Sequence, residues 1–186
     1  MNFNSVAEIL STIEEARGRL AARVENLTSE QQSFRPAPDA WSVADILEHL
    51  SVTEARASQM LGLLVGKAEA EGHLLAESDG EPRLPAPVTI KEHVERSLVE
   101  KYVAPEMIRP TGSVSVADSL ESLRRSRAAI QALRPRLERV DGTHVRYPHP
   151  AFGPLNLYQW LAFIGMHEER HLRQVESILE EQAARG

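Results

Sequence analysis

The chain has 186 residues, 42% of them hydrophobic and 26% charged, a formal charge of −6 and no cysteine. That length and balance predict one globular domain spanning 1–186; the missing cysteines exclude disulfides, thiolate ligands and a cysteine nucleophile, and the acidic balance without a Lys or Arg block argues against nucleic acid. No run approaches ~20 apolar residues, so no membrane span is expected, and MNFNSVAEIL lacks the basic start and long apolar run of a signal peptide, which makes the cytoplasm the expected location.

The first helix is predicted to start after Ser5, because Val6, Ile9, Leu10, Ile13, Leu20, Val24 and Leu27 recur at three- and four-residue steps. PAPDAW breaks it. In WSVADILEHL, Ser42 followed by Asp45 forms a capping box, so a second helix starts there and fades near Gly66. Residues 67–114 are the least regular part. EPRLPAPVTI reads as a proline-rich loop, Thr89 and Glu92 could cap a short helix, and APEMIRPTGS is a further break. A connection of that length should pack on the body of the protein and hold little or no sheet.

Ser115 and Asp118 cap a third long helix carrying Leu120, Leu123, Ile130 and Leu133, which Pro135 kinks or ends. VDGTHVRYPHPAFGPL, dense in Gly and Pro, reads as loop. Asn156 with Gln159 then opens the last helix, which runs nearly to the end of the chain. Four long helices without a convincing strand pair predict an all-α four-helix bundle. A long crossover between helices two and three lets the order depart from simple up-down-up-down.

The last helix carries the chemistry. Its inward stripe reads Leu157, Trp160, Ile164, His167, His171, Val175, Ile178, so two histidines stand where the pattern calls for apolar residues. Four apart on a helix, their Cβ atoms lie about 5–6 Å apart, a separation that lets two imidazoles meet one metal at ~2.0–2.1 Å. The competing reading is a hydrogen-bonded core pair, or a half-exposed pair at the rim. A metal needs a third ligand. His49 flanks the stripe of Ile46, Leu50 and Met60 and could face either the bundle or solvent. His73 and His93 lie in polar segments, and His144 and His149 in the loop before the last helix, where His149 could line a pocket mouth.

HEERH also matches the H-E-x-x-H pattern of zinc proteases, in which Glu168 would act as general base. The longer form with a further Gly and His is absent from the residues after His171, and Glu169 and Arg170 put charges in the middle of the motif. Glu168 therefore reads as a solvated carboxylate or one supporting the ligands. Arg170 and Gln174 border His171 at helical spacing and are candidates for orienting a ligand or substrate. Asp45, one turn before His49, could accept a hydrogen bond from its ring, though capping already explains it. Trp41, Trp160 and Phe163 read as core or helix-end packing.

WSVADILEHL, then HPAFGPLNLYQWL, then HEERHLRQ resembles the DinB-like (YfiT-type) metal-dependent family over almost the whole chain. Trp41 and His49 stand eight residues apart, a His-Pro-x-x-Gly loop follows, and His167 and His171 form H-x-x-x-H. The resemblance implies a four-helix fold, a homodimer, and a divalent metal, zinc or nickel, held by His49, His167 and His171. It also implies a metal-dependent hydrolase or transferase that uses a low-molecular-weight thiol such as bacillithiol, mycothiol or glutathione on a small electrophile. The competing expectation is a non-catalytic metal-binding stress or interaction protein on the same scaffold.

Overall fold

The computed structural model describes residues 2–76, 83–90 and 103–185. In chain order they form β1 (Asn2–Phe3), α1 (Val6–Val24), α2 (Ser29–Ser33), α3 (Val43–Ala70), β2 (Val88–Thr89), a 3-10 turn (Glu106–Ile108), α4 (Val116–Ala132), α5 (Arg134–Leu137), β3 (Arg146–His149), β4 (Gly153–Asn156) and α6 (Leu157–Arg185). The four long helices are α1, α3, α4 and α6, and the architecture is the expected all-α four-helix bundle.

Their starts are set by the capping residues read from the sequence. The Ser5, Ser42 and Ser115 hydroxyls accept from the backbone N–H of Glu8, Asp45 and Asp118. Asn156 and Gln159 cap α6 reciprocally, side-chain oxygen to backbone N–H in each direction. α3 runs past Gly66 to Ala70, beyond the expected end. Val65 and Ala68 are fully buried there, and that packing outweighs a glycine penalty of about 1 kcal/mol. Pro135 does separate two helices, because at the start of α5 its missing N–H costs no hydrogen bond.

Two short ribbons accompany the helices, one within the little sheet allowed for residues 67–114 and one, before α6, that was not expected. β1 pairs antiparallel with β2, Phe3 opposite Val88, so the segment after α3 contributes two residues of strand. The Gly- and Pro-dense stretch before α6, read as loop, contains the β3–β4 hairpin, with Arg146 opposite Asn156 and His149 opposite Gly153. Pro148 and Pro154 face each other in it, and prolines inside strands hide the strand pattern. The short helix expected after Thr89 falls on residues 91–102, outside the described ones.

Among the described residues the core divides into two apolar clusters. One gathers Ile9, Ile13, Leu61, Ile130, Tyr158 and Phe163, and the other gathers Leu20, Ile46, Leu47, Leu123, Val175 and Leu179. α1 and α6 run from the first cluster toward the second, whereas α3 and α4 run from the second toward the first. The parallel run of α3 and α4 is what requires the long crossover between them. α1 packs along α6, and α3 along both α4 and α6. Gly165 permits the α1–α6 approach: a Cβ there would stand 3.2 Å from Ile13 Cγ1 and 3.5 Å from its Cα.

At the seam between the clusters each long helix carries a buried charge: Arg17 on α1, Glu54 on α3, Arg127 on α4 and Glu168 on α6. Arg17 donates through Nη2 to Glu54 Oε2 (2.6 Å) and through Nε to Glu168. Arg127 Nη2 reaches Glu168 Oε2 at 3.1 Å and Glu54 Oε2 at 3.4 Å. Two guanidiniums and two carboxylates compensate one another, which is the condition for holding charge in a core.

Candidate metal centre

Beside this seam three imidazoles converge. His49 comes from the second turn of α3, and His167 and His171 lie one turn apart on α6. His167 Nε2 lies 3.3 Å from His49 Nε2 and 3.1 Å from His171 Nε2. Among the described residues these three form a cluster whose ligand atoms all lie within 4.8 Å of one another. His49, undecided between bundle and solvent in the sequence, points inward and is buried.

Two of the rings have their chemistry fixed by the atom on the far side. His49 Nδ1 is 2.7 Å from the Ile108 carbonyl oxygen, which only accepts, so Nδ1 carries the proton. In the neutral ring Nε2 then presents its lone pair to the cluster. His171 Nδ1 donates to Gln174 Oε1 at 2.6 Å, with the same result. The Ile108 carbonyl is held in place from α3: Glu48 accepts from Thr111 N (2.8 Å), Thr111 Oγ1 (2.6 Å) and Gly112 N (2.9 Å). Gly112 takes φ +73° at this contact, a conformation that suits glycine. Those hydrogen bonds outweigh the effect of burial and leave the Glu48 carboxyl below its ordinary range.

Burial also keeps the imidazoles neutral. It pushes His171 down to about 3, with the neighbouring His49 and Arg170 adding to the effect against the Gln174 hydrogen bond. His167 is held well below its ordinary value by burial and by His171 and His49 beside it. Burial lowers His49 too, partly offset by the Ile108 carbonyl.

This donor set fits a divalent cation. Ligands at ~2.0–2.1 Å from one tetrahedral ion stand about 3.3–3.4 Å apart, close to the two nitrogen separations found here. The Nε2 lone pairs of His49 and His171 both face His167 Nε2, where either a cation or an N–H on His167 satisfies them. The partners on Nδ1 supply the orientation that metal-ligating histidines ordinarily receive.

The other sequence candidates divide. Gln174 orients His171, and Arg170 lines the cleft beside the three rings. Glu168 is neither solvated nor a partner of the histidines: it is 1% exposed and both its oxygens are engaged by Arg17 and Arg127. Burial raises its carboxyl above the usual range, against the pull of the two guanidiniums. Asp45 serves Ser42 as a cap and pairs with Arg35, with no hydrogen bond to His49. His73 and His144 stack on each other with their centroids 4.7 Å apart, away from the site, and His93 lies outside the described residues. Trp41, Trp160 and Phe163, read as packing alone, also line the cleft, and Phe163 stacks on His167 with centroids 5.4 Å apart. His149 stands where the hairpin meets the cleft, as its position before α6 suggested.

His49, His167 and His171 line a cleft of about 1390 Å3 between α3, α6, the β3–β4 hairpin and the segment 103–109. Among the described residues no helix is long and apolar enough to cross a membrane.

Comparison with known proteins places these features in context. The DinB superfamily model matches residues 12–175, a span that contains all three histidines, the whole of α3 and α4 and most of α1 and α6. The uncharacterized protein YuaE of Bacillus subtilis (strain 168) is 28% identical over 172 residues, covering 92% of this chain and 97% of the relative. Among solved structures, the four-helix bundle protein TT2238 superposes with a TM-score of 0.58 at 20% identity, over 91% of this chain and 96% of its own. YfiT from Bacillus subtilis, described as a probable metal-dependent hydrolase with an unusual four-helix bundle topology, gives a TM-score of 0.52 at 17% identity, over 95% of this chain and 87% of its own. At those identities the two structures speak for the fold.

Proposed function

The chain belongs to the DinB superfamily, and from that premise and the meeting of three histidines at the foot of one cleft we propose that it is a metal-dependent enzyme, a hydrolase or transferase, whose centre is a zinc or nickel ion held by His49, His167 and His171. The observation that carries this reading is the set of three Nε2 atoms separated by 3.1 and 3.3 Å, on residues that all line one cleft. A sealed structural ion would call for a fourth protein ligand, whereas three ligands facing an open position are the arrangement of catalytic sites. That favours an enzyme over a non-catalytic scaffold. The description of YfiT as a probable metal-dependent hydrolase supports the same reading.

Within this class we favour transfer of a low-molecular-weight thiol to a small electrophile. When bound, the ion supplies the positive charge that keeps a small thiol deprotonated near neutral pH. The chain has no cysteine, so the sulfur belongs to a cosubstrate. The protein's own groups do the rest. Ile108 and Gln174 hold the His49 and His171 rings with Nε2 forward. Desolvation keeps the imidazoles unprotonated and available as ligands. Arg170 adds a positive charge to the cleft wall, suited to an anionic cosubstrate.

The test is a conjugation assay on metal-loaded protein with glutathione, bacillithiol or mycothiol and 1-chloro-2,4-dinitrobenzene. The expected result is conjugation with at least one thiol that disappears on chelation and in His171→Ala. Equal rates with loaded, stripped and variant protein for all three thiols would rule out thiol transfer.

A further inference from the structure

The cleft is far larger and more apolar than a metal and a small polar ligand require. Five large apolar side chains are at least half exposed among the described residues: Leu63 (76%), Leu74 (57%), Val103 (79%), Met107 (67%) and Tyr147 (50%). Four of them, all but Leu74, line this one cleft. Apolar side chains scattered singly over a surface call for no explanation, but their concentration around a concavity marks a binding site.

They continue an aromatic wall that begins at the metal-site histidines and has His149 packed among its rings, its centroid 4.5 Å from that of Phe163 and 5.1 Å from that of Trp160. Phe163 stacks on His167. Phe163 then meets Trp160 edge to face at 5.7 Å between centroids, and Trp160 meets Tyr147 at 6.2 Å. Phe152 adds a further ring at 5.9 Å from Phe163. The opposite wall is α3, through Ala57, Met60 and Leu63. The rim is held in place by specific contacts. Trp160 Nε1 donates to the Tyr147 carbonyl at 2.9 Å, Arg56 Nη1 reaches Met107 Sδ at 3.6 Å, and Glu48 anchors the segment that carries Met107.

We infer that the substrate of this site is an amphiphile: a polar reacting group at the three histidines and an extended apolar arm, alkyl or aryl, lying along Phe163, Trp160 and Tyr147 and leaving between Leu63 and Met107. This deepens the reading of the centre as an enzyme site and rests on it. The volume fits such an occupant. Pockets for drug-sized ligands run from about 300 to 1,000 Å3, and 1390 Å3 holds a head group together with an arm of several carbons. A second copy of the chain is the other candidate for covering the rim, but the apolar surface continues inward to His167, which a polar head with a greasy arm matches and a flat subunit face does not.

The experiment titrates a series of hydroxamates, from acetohydroxamate through butano-, hexano- and octanohydroxamate, into zinc-loaded and metal-stripped protein, read by calorimetry and by tryptophan fluorescence. A buried methylene is worth about 0.8 kcal/mol, so affinity should rise roughly fourfold per added carbon, in both forms of the protein. In the variant L63D the gain per carbon should fall well below fourfold while acetohydroxamate affinity for the loaded protein is kept. Absence of chain-length dependence in both forms overturns the inference, as does a gain that the variant leaves intact. So does sedimentation showing a wild-type dimer that the variant dissociates, because the rim would then be a subunit face. The metal reading is scored separately: if zinc adds nothing to acetohydroxamate affinity, the three-histidine centre fails while the apolar arm stands on the stripped protein.

Discussion

Replacing Glu168 with Gln separates the two roles that this residue could play. In H-E-x-x-H proteases the glutamate works on the metal's water, and its loss abolishes activity without unfolding the protein. Here Glu168 is 1% exposed and lies between Arg17 and Arg127, which are 9% and 6% exposed. One oxygen takes Arg17 Nε and the other takes Arg127 Nη2. An amide can accept from one guanidinium, but it turns an NH2 group toward the other and removes the negative charge between them. Arg17 Nη1 is already buried without a hydrogen-bond partner and Arg127 Nη1 has only the Glu14 carboxylate at 3.6 Å, so the network has little acceptor capacity to spare. Breaking a buried ion pair from one side costs about 3–5 kcal/mol. At roughly 2–4 °C per kcal/mol for a chain of this size, Tm should fall by about 6–20 °C. Calorimetry gives the midpoint, and metal analysis on the same samples below the transition gives occupancy. The expected outcome is a large loss of stability with metal content kept. An unchanged Tm together with lost metal would refute the reasoning and restore Glu168 to the centre.

Gln174→Leu removes the acceptor on His171 Nδ1, and loss of such an orienting partner should weaken metal affinity roughly 10- to 100-fold, measured by competition with a chelating dye; an unchanged affinity would show that packing alone orients the ring. The pH dependence follows from the lowered imidazoles. A histidine whose folded value lies below its unfolded value takes up a proton on unfolding, so its contribution to stability is complete above the unfolded value near ~6.5 and is lost as pH falls toward the folded one. For His171 that window runs from about 6.5 down to about 3, and metal-stripped protein should lose about 1.4 kcal/mol per pH unit for each such histidine. Urea titrations between pH 7 and pH 4.5 check this, and a flat stability profile contradicts it.

Much of the fold was legible because its signals are local. Ser5, Ser42, Ser115 and Asn156 begin their helices by capping backbone N–H groups a few residues on, and the apolar stripes need nothing from the rest of the chain. His167 and His171 were legible for a related reason, since they interrupt a stripe. The same rule applied to the other helices would have revealed the buried charges. Arg17 stands between Ile13 and Leu20, Glu54 between Leu50 and Ala57, and Arg127 between Leu123 and Ile130, each at a stripe position. None of the three was singled out, because the network they form with Glu168 exists only when four helices meet. The hairpin at 146–156 was hidden by its prolines. Glu48 carried no local signal because its partners, Thr111 and Gly112, lie more than sixty residues away. The cleft depends on the segment 103–109 folding over α3, and no periodicity in that segment announces it.

The most direct test of the account is metal stoichiometry of protein purified without a histidine tag, wild type beside His49→Ala, His167→Ala, His171→Ala and Glu168→Gln, each first shown to be folded by circular dichroism. The account predicts one equivalent of zinc or nickel in the wild type and in Glu168→Gln, and close to none in any of the three histidine variants, because two ligands rarely hold an ion against water and a chelating buffer. Full occupancy in folded His49→Ala with loss in Glu168→Gln would contradict it.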